Sequence, residues 1–251
     1  MKNTDLKQTY DTMHKTGKSA WFDDGQEERK AILEMGQPWK GKSVLEIGCG
    51  EGDLLNMIHE AGALFCSGMD YSHEALIKAS EKYPKLVFTL ADVHGYDYSA
   101  DVLVMQGVME HLDDPFAELA DMIERFKPKT VITSMPGFLN TRGIIWHTLD
   151  MLGAVMSKTD LHFIDPWEVK EFCDHNGYRL KNSTIDHSWA SGAKMIKDLR
   201  QRIPLALRDG GIPVDEQALD RFMDWLQYFD LGYCQRLTDL SGALNIYRIE
   251  L

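Results

Sequence analysis

Two acidic side chains flank a glycine-rich bend early in the chain. Residues 44–52 read VLEIGCGEG, so Glu46 precedes the bend and Glu51 lies within it. The short apolar run predicts a buried strand at 43–47, and glycines at alternate positions predict a tight turn before a helix that begins near Asp53. Because glycine lacks a Cβ, a ligand can approach the backbone N–H groups at the helix start. The chemistry predicted here is the binding of a nucleotide-like molecule.

The two carboxylates restrict which ligand fits. The dinucleotide fingerprint is G-x-G-x-x-G, whereas here the third glycine comes one position early. Negative charge at Glu46 and Glu51 would repel a diphosphate and would suit a ligand with a positive end. S-adenosylmethionine has an ammonium, a sulfonium and no phosphate, and it fits this requirement. The turn alone leaves open the alternative that it binds some other nucleotide.

Residues 44–52 resemble motif I of the class I S-adenosylmethionine-dependent methyltransferases, which is an acidic residue followed by G-x-G-x-G. The resemblance is to the ubiquinone-pathway-like group and extends over about residues 40–190 and 243–251. It implies that the cofactor is S-adenosylmethionine, with S-adenosylhomocysteine as product. The motif residues that it assigns to cofactor binding are Glu46, Gly48, Cys49, Gly50 and Gly52.

Further cofactor residues follow the later strands. Asp70 lies about 20 residues beyond the turn, where an acidic side chain meets the ribose hydroxyls, and Tyr71 would then lie near the adenine. A plain helix cap is the alternative for Asp70, although Ser72 is better placed as the cap. The resemblance places Asp92 against the adenine amino group; the alternative for Asp92 is a solvated loop aspartate. The remaining positions expected at the cofactor are Val93, Gln106, Gly107 and Val108.

Strands and helices alternate along the chain in a way that would place these residues together. Strands are predicted at 43–47, 64–69, 86–90, 101–105 and 129–135, with helices between them. This alternation predicts a parallel sheet with helices on both faces, and ligands in such sheets bind at the carboxyl ends of the strands. With further strands at 178–188 and 242–251, the expected fold is α/β: a Rossmann-like sheet of seven strands, mostly parallel, with the last strand antiparallel.

Three regions are expected around this sheet. Residues 41–188 and 242–251 form the S-adenosylmethionine-binding core, with an insertion at 136–164. Residues 189–241 show apolar stripes at helical spacing and are predicted to form a helical cap between strands six and seven. Residues 1–40 are predicted to form an N-terminal helical flap over the cofactor. The alternative is an N-terminal helix that packs on the edge of the sheet. Trp21 and Phe22 in that segment are expected to face the substrate.

Removal of a proton from a hydroxyl acceptor would need a base, which must lie past the fourth strand or in the insertions. Glu110-His111 follows that strand, and the pattern resembles ubiquinone-pathway O-methyltransferases and small-RNA 2′-O-methyltransferases. His111 is therefore the candidate base, and His162 is expected to contact the substrate. Some relatives carry a metal-binding Glu where this chain has Gly107, so no metal is expected. A surface or structural role is the alternative for any histidine, and His147 and His187 are weaker candidates.

Composition limits the class of partner. The chain has a net charge of −12, which disfavours nucleic acid as a partner. The cysteines are scattered, no signal peptide or membrane span is evident, and we expect a cytoplasmic enzyme that does not insert into membranes. The expected reaction is O-methylation of a small molecule. Left open are N- or C-methylation, modification of a sugar, lipid or protein, a catalytically silent regulatory protein that binds the cofactor, and the oligomeric state.

Overall fold

The structure, a computed structural model of the chain, describes residues 6, 11–12, 14–15, 25–91, 98–157, 162–185, 187–233 and 241–251. At 187–188 and 230–233 only the backbone is described. Trp21, Phe22, Asp92 and Val93 lie outside the described residues, so their roles stay predictions.

The described residues form one seven-stranded sheet. Its strands are β1 (Ser43–Ile47), β2 (Phe65–Asp70), β3 (Val87–Leu90), β4 (Val102–Gln106), β5 (Thr130–Pro136), β6 (Arg179–Ile185) and β7 (Leu244–Glu250). The strand order is β3-β2-β1-β4-β5-β7-β6, and β7 runs antiparallel to both of its neighbours while the other pairs are parallel. This arrangement confirms the predicted Rossmann-like sheet.

Helices cover both faces of the sheet. They are α1 (Gln26–Met35), α2 (Asp53–Glu60), α3 (His73–Lys82), α4 (Pro115–Phe126), α5 (Thr141–Met151), α6 (Pro166–Asn176), α7 (His187–Ala190), α8 (Ala193–Asp209) and α9 (Glu216–Tyr233). Helices α1 and α2 pack against one face, where Ile32 and Leu55 are fully buried. Helices α4 and α6 pack against the other face, through Phe126 and Val169. The central strands β1, β4 and β5 are therefore buried on both sides, as the predicted fold requires.

Local signals set the ends of several helices. Ser72 caps α3 by accepting the backbone N–H three residues on, and Asp114 caps α4 in the same way. Asp165 and Glu168 form a reciprocal capping box at the start of α6, which ends where Gly177 takes a φ of 73°. A side-chain cap of this kind stabilises a helix by about 1 kcal/mol. The predicted caps at these three helices are all present.

A third core lies among α5, α8 and α9. Buried side chains from the three helices meet there, with Trp146, Leu199 and Met223 at the centre. Helices α8 and α9 occupy the segment predicted to form a cap, and α5 lies in the insertion after β5. None of the helices in the described ranges has the length and apolarity needed to cross a membrane.

Strand β6 is shorter than predicted. It ends at Ile185, whereas the sequence pattern predicts a strand to residue 188, and α7 begins at His187. The reason is the register with the neighbouring strand, because Ile185 pairs with Leu244 at the very start of β7. Without a partner strand beyond that point, the chain leaves the sheet and α7 follows.

Candidate active site

The glycine turn after β1 is tightly packed at its first and last glycines. Gly48, Gly50 and Gly52 all have positive φ angles, of 66°, 52° and 82°. A Cβ added to Gly48 would lie 2.8 Å from a methyl carbon of Val108, and one added to Gly52 would lie 2.7 Å from the ring of Phe88. Larger residues at either position would clash and would also be strained. The turn therefore keeps its backbone close to β3 and to the segment after β4.

Asp70 joins this turn to the next strand. Its Oδ2 accepts a hydrogen bond from the backbone N–H of Gly50 at 2.8 Å, and its Oδ1 accepts one from Ser72 at 2.8 Å. Burial raises the pKa of the Asp70 carboxyl, and the two N–H donors act in the opposite direction. Each oxygen has a further lone pair that could accept a ribose hydroxyl. Asp70 is thus a structural brace for the turn as well as a candidate ligand.

Glu46 is a buried carboxyl in the middle of the sheet. It lies on β1 between Gly68 of β2 and Val104 of β4, and its Oε2 has no hydrogen-bond partner among the described residues. Burial raises the pKa of Glu46 well above its usual range, and Asp70 adds to this effect. An unpaired buried carboxyl oxygen is costly unless something positive or hydrogen-bonding meets it. The site therefore fits the cationic end of S-adenosylmethionine.

Glu51 has a different environment. Its Oε1 lies 2.9 Å from Lys78 Nζ and 3.3 Å from His14 Nδ1, and these two partners lower the pKa of Glu51 although burial opposes them. Asp11 accepts a hydrogen bond from the Ser72 hydroxyl at 2.6 Å. His14 and Asp11 thus bring parts of the N-terminal segment against the turn. Because Glu51 is already paired, the charge argument for a cationic ligand depends on Glu46.

Sequence reasoning missed two residues of α1 that lie in the site. Glu28 Oε2 accepts a hydrogen bond from Gln106 Nε2 at 2.7 Å, and Ser134 also bonds to Glu28, whose pKa is raised by burial. Burial raises the pKa of both Glu28 and Glu46, and the positive charge of Arg29 partly opposes this. A Cβ added to Gly25 would lie 3.0 Å from Arg29 Nη1 and 3.2 Å from Gln106 Nε2, so the guanidinium lies beside the residue that bonds to Glu28. Arg29 is therefore a candidate partner for the carboxylate of the cofactor. The segment reads as an ordinary polar helix, and nothing in it singles out these two side chains.

The other predicted cofactor residues lie nearby. Cys49 is buried, and its backbone N–H donates to the carbonyl of Met69 at 3.0 Å. Tyr71 is half-buried directly after Asp70. Gly107 has a φ of 59°, and its backbone N–H donates to the carbonyl of Ser134 at 3.2 Å. Together with Gln106 and Val108, these residues surround the carboxyl ends of β1, β2 and β4.

The segment after β4 forms a short 3₁₀ turn, Met109–His111, that carries the candidate base. Glu110 is buried and His111 is half-buried. The backbone N–H of His162 donates to the carbonyl of Glu110 at 3.1 Å, and His162 Nε2 lies 3.1 Å from the carbonyl of Asp113. The fold thus brings His162 to the turn that carries His111, although 50 residues separate them in the sequence.

Two further observations concern the weaker candidates. His147 packs between Phe138 and Phe163, with ring centroids 5.1 and 4.6 Å away, so it is part of an aromatic cluster in the insertion. The side chain of His187 lies outside the described residues. Across the described ranges, no group of three or more His, Cys, Asp or Glu side chains is arranged to hold a metal ion. The expectation that no metal takes part stays a prediction.

Comparison with known proteins identifies the family. A family model described as a methyltransferase domain matches residues 24–180, which is more than half of the chain. The chain belongs to this methyltransferase family. The enzyme is therefore an S-adenosylmethionine-dependent methyltransferase, as motif I predicts.

Sequence identity between this methyltransferase and individual known proteins is low. The ubiquinone biosynthesis O-methyltransferase of Vibrio cholerae is 25% identical over 169 residues, covering 62% of this chain and 69% of that protein. A Haloferax volcanii complex of the Trm112 methyltransferase activator with a putative methyltransferase matches at a TM-score of 0.64 and 16% identity, over 96% of both chains. Phosphoethanolamine N-methyltransferase 2 of Haemonchus contortus, in complex with S-adenosyl-L-methionine, matches at a TM-score of 0.57 and 17% identity, over 90% of this chain and 52% of that one. The last two share the fold.

Proposed function

We propose that this methyltransferase methylates a hydroxyl group of a small molecule, with His111 as the general base. The observation that carries the proposal is the turn Met109–His111, which follows β4 directly and so presents His111 at the ligand-binding end of the sheet. The similarity to O-methyltransferases of ubiquinone biosynthesis supports oxygen as the acceptor atom. The net charge of −12 supports a small molecule rather than a nucleic acid.

The bound cofactor supplies a methyl group on a positively charged sulfur. In our proposal Glu46 balances its positive charge, Asp70 accepts the ribose hydroxyls and Arg29 meets its carboxylate. Other residues would line the cofactor through backbone or side-chain contacts, namely Gly48, Cys49, Gly50, Gly52, Tyr71, Asp92, Val93, Gln106, Gly107 and Val108. Trp21, Phe22 and His162 would contact the acceptor, and the N-terminal flap and the helical cap would exclude water.

The catalytic work of the protein is then orientation and proton removal. Holding the acceptor oxygen in line with the methyl group can lower the barrier by roughly 7–11 kcal/mol. A placed base contributes a further factor of about 10²–10⁴ in rate. Neutral His111 can take the hydroxyl proton as the oxygen forms its bond to the methyl carbon, while the electron pair of the carbon–sulfur bond stays on sulfur.

The test is a comparison of His111→Ala with a matched control, His175→Ala. His175 is exposed in the last turn of α6, just before β6 begins, and β6 begins at the same edge of the sheet as β5, opposite the carboxyl ends of the parallel strands. Its loss should therefore leave the rate unchanged. With a panel of phenols, hydroxy acids and amines, formation of S-adenosylhomocysteine is measured for each variant. His111→Ala should lose at least about 100-fold in turnover of a hydroxyl acceptor and keep its affinity for the cofactor. Turnover close to that of His175→Ala would remove His111 as the base.

An amine acceptor is the second candidate, because a neutral amine needs no base. The solved N-methyltransferase with the same fold makes this class worth including in the panel. Turnover of amines that survives in His111→Ala, with no turnover of hydroxyl compounds in the unaltered enzyme, would favour N-methylation. Carbon acceptors, sugars, lipids and protein side chains complete the panel.

A further inference from the structure

Two neighbouring side chains of opposite charge lie in the first turn of α1. Glu28 is half-buried, and its Oε2 accepts a hydrogen bond of 2.7 Å from Gln106 Nε2. A Cβ at Gly25, just before the helix, would lie 3.0 Å from Arg29 Nη1 and 3.2 Å from the same Gln106 nitrogen. Since Gln106 is the last residue of β4, the carboxyl and the guanidinium both lie where that strand ends.

The end of β4 lies beside the glycine turn. Met105 of β4 pairs with Ile47 of β1, so Gln106 comes level with Gly48, the first glycine of the turn. A Cβ added to Gly48 would lie 2.8 Å from Val108, which shows that the turn touches the segment after β4. Ligands of this kind of sheet lie across the carboxyl ends of its strands. The start of α1 is therefore placed beside the cofactor.

The strand order indicates which end of the cofactor lies there. Asp70, the candidate partner of the ribose, ends β2, and β2 and β4 lie on opposite sides of β1. The nucleoside would thus lie on one side of the turn and the start of α1 on the other. The part of S-adenosylmethionine that remains for α1 is its amino-acid end, which has one ammonium and one carboxylate. The paired charges of Glu28 and Arg29 match these two groups.

Glu28 is better placed to touch the ammonium than the other carboxyls of the site. Glu46 is only 2% exposed and lies deeper in the sheet, and Glu51 already forms an ion pair. An ionised carboxyl has about four lone-pair positions, and the donors Gln106 and Ser134 leave room for an ammonium N–H at Glu28. Burial raises the pKa of Glu28, so a cation beside it would stabilise the ionised form.

We propose that Glu28 binds the ammonium group of the cofactor, beside Arg29, which binds its carboxylate. Helix α1 then recognises the amino-acid end as a zwitterion, while Gln106 and Ser134 hold the Glu28 carboxyl in position. The inference rests on the proposed function for the role of Arg29. It does not depend on the identity of the methyl acceptor or on His111 as the base.

The test is isothermal titration calorimetry with S-adenosylhomocysteine and its deaminated analogue, which has hydrogen in place of the ammonium. The unaltered protein should bind S-adenosylhomocysteine at least about tenfold more tightly, as one charged hydrogen bond predicts. Glu28→Gln removes the charge but keeps an oxygen that can accept from Gln106, and it should reduce this preference to about twofold or less. The matched control is Glu34→Gln, because Glu34 is exposed near the end of the same helix; this variant should keep the full preference.

Methylthioadenosine, which lacks the whole amino-acid end, separates a binding effect from a folding effect. Its affinity should be the same for the unaltered protein and for Glu28→Gln. An equal loss of affinity for all three ligands would show that Glu28 only supports the structure, and would overturn the proposal. An unaltered protein that binds S-adenosylhomocysteine and its deaminated analogue equally well would also overturn it, whatever the variants do. None of these measurements involves turnover, so His111 can fail as the base without changing their outcome.

Discussion

Binding of S-adenosylmethionine should release protons from buried carboxyls of the site. Burial raises the pKa of Glu28, Glu46 and Asp70, so each carboxyl retains its proton at a higher pH than usual in the protein without cofactor. The cofactor brings two positive groups and one negative group, and this net positive charge favours the ionised carboxyls. Affinity should therefore rise with pH above the ordinary carboxyl range and level off once the pH passes the raised pKa values.

The size of the effect follows from the charges. Each carboxyl that ionises on binding makes the affinity rise up to tenfold per pH unit, or about 1.4 kcal/mol. A unit charge about 4 Å from a carboxylate contributes roughly 4 kcal/mol at an effective dielectric constant of about 20. That energy exceeds the free energy needed to ionise one carboxyl at a pH two units below its pKa. Glu46 should dominate, because its pKa is raised furthest above the usual range and its Oε2 has no partner among the described residues.

Isothermal titration calorimetry in two buffers of different ionisation enthalpy measures the number of protons released. Glu46→Gln should reduce that number and flatten the dependence of affinity on pH, since the amide does not titrate. Glu60→Gln is the matched control, because Glu60 is exposed at the end of α2. Identical binding enthalpies in both buffers, with an affinity independent of pH, would refute the assignment of these carboxyls to the cofactor's charge.

Three further substitutions test the framework of the site. Asp70→Asn keeps one oxygen that accepts a backbone hydrogen bond but loses a charged hydrogen bond. It should therefore lower the free energy of unfolding by roughly 1.5–3 kcal/mol in denaturant titrations. It should also weaken cofactor binding. Gly52→Ala should cost about 2–4 kcal/mol, because φ is 82° and the new methyl would lie 2.7 Å from Phe88; a partial recovery in Gly52→Ala/Phe88→Leu would locate the clash. Asp101→Asn should cost about 1–2 kcal/mol at neutral pH. Hydrogen bonds from Lys129 and Ser43 lower the Asp101 pKa to about 2, so its contribution is present above about pH 4 and lost as the pH falls towards 2; an equal difference at pH 2 and pH 7 would contradict this.

Much of the fold could be predicted because its signals are local. The first five strands begin within one residue of the predicted positions, since short apolar runs bounded by glycine and polar residues mark them. The helix caps at Ser72, Asp114 and Asp165 could be predicted for the same reason, because a side chain that caps a helix acts within three residues of its own position. Placement of motif I and Asp70 at one end of the sheet follows from these elements.

The parts that could not be predicted depend on contacts between distant segments. Glu28 and Arg29 lie in a helix with the charge pattern of a solvated surface, and only its packing against β5 and β7 brings Glu28 to Gln106 and Ser134. The contact of His162 with the turn after β4 likewise joins segments that no periodicity links. The end of β6 is set by where β7 begins, and the sequence of one strand does not determine the length of its partner strand.

The position of β7 in the sheet affects how the chain folds during its synthesis on the ribosome. Residues 244–250 are translated after the other six strands, yet they lie between β5 and β6. Until they emerge, β5 has an unpaired edge and β6 has no neighbour to hold it. Arg248 of that strand also donates hydrogen bonds to the carbonyls of Met35 and Gln37, at the end of the helix that carries Glu28. A nascent chain stalled before residue 244 should therefore bind chaperones strongly and S-adenosylmethionine poorly.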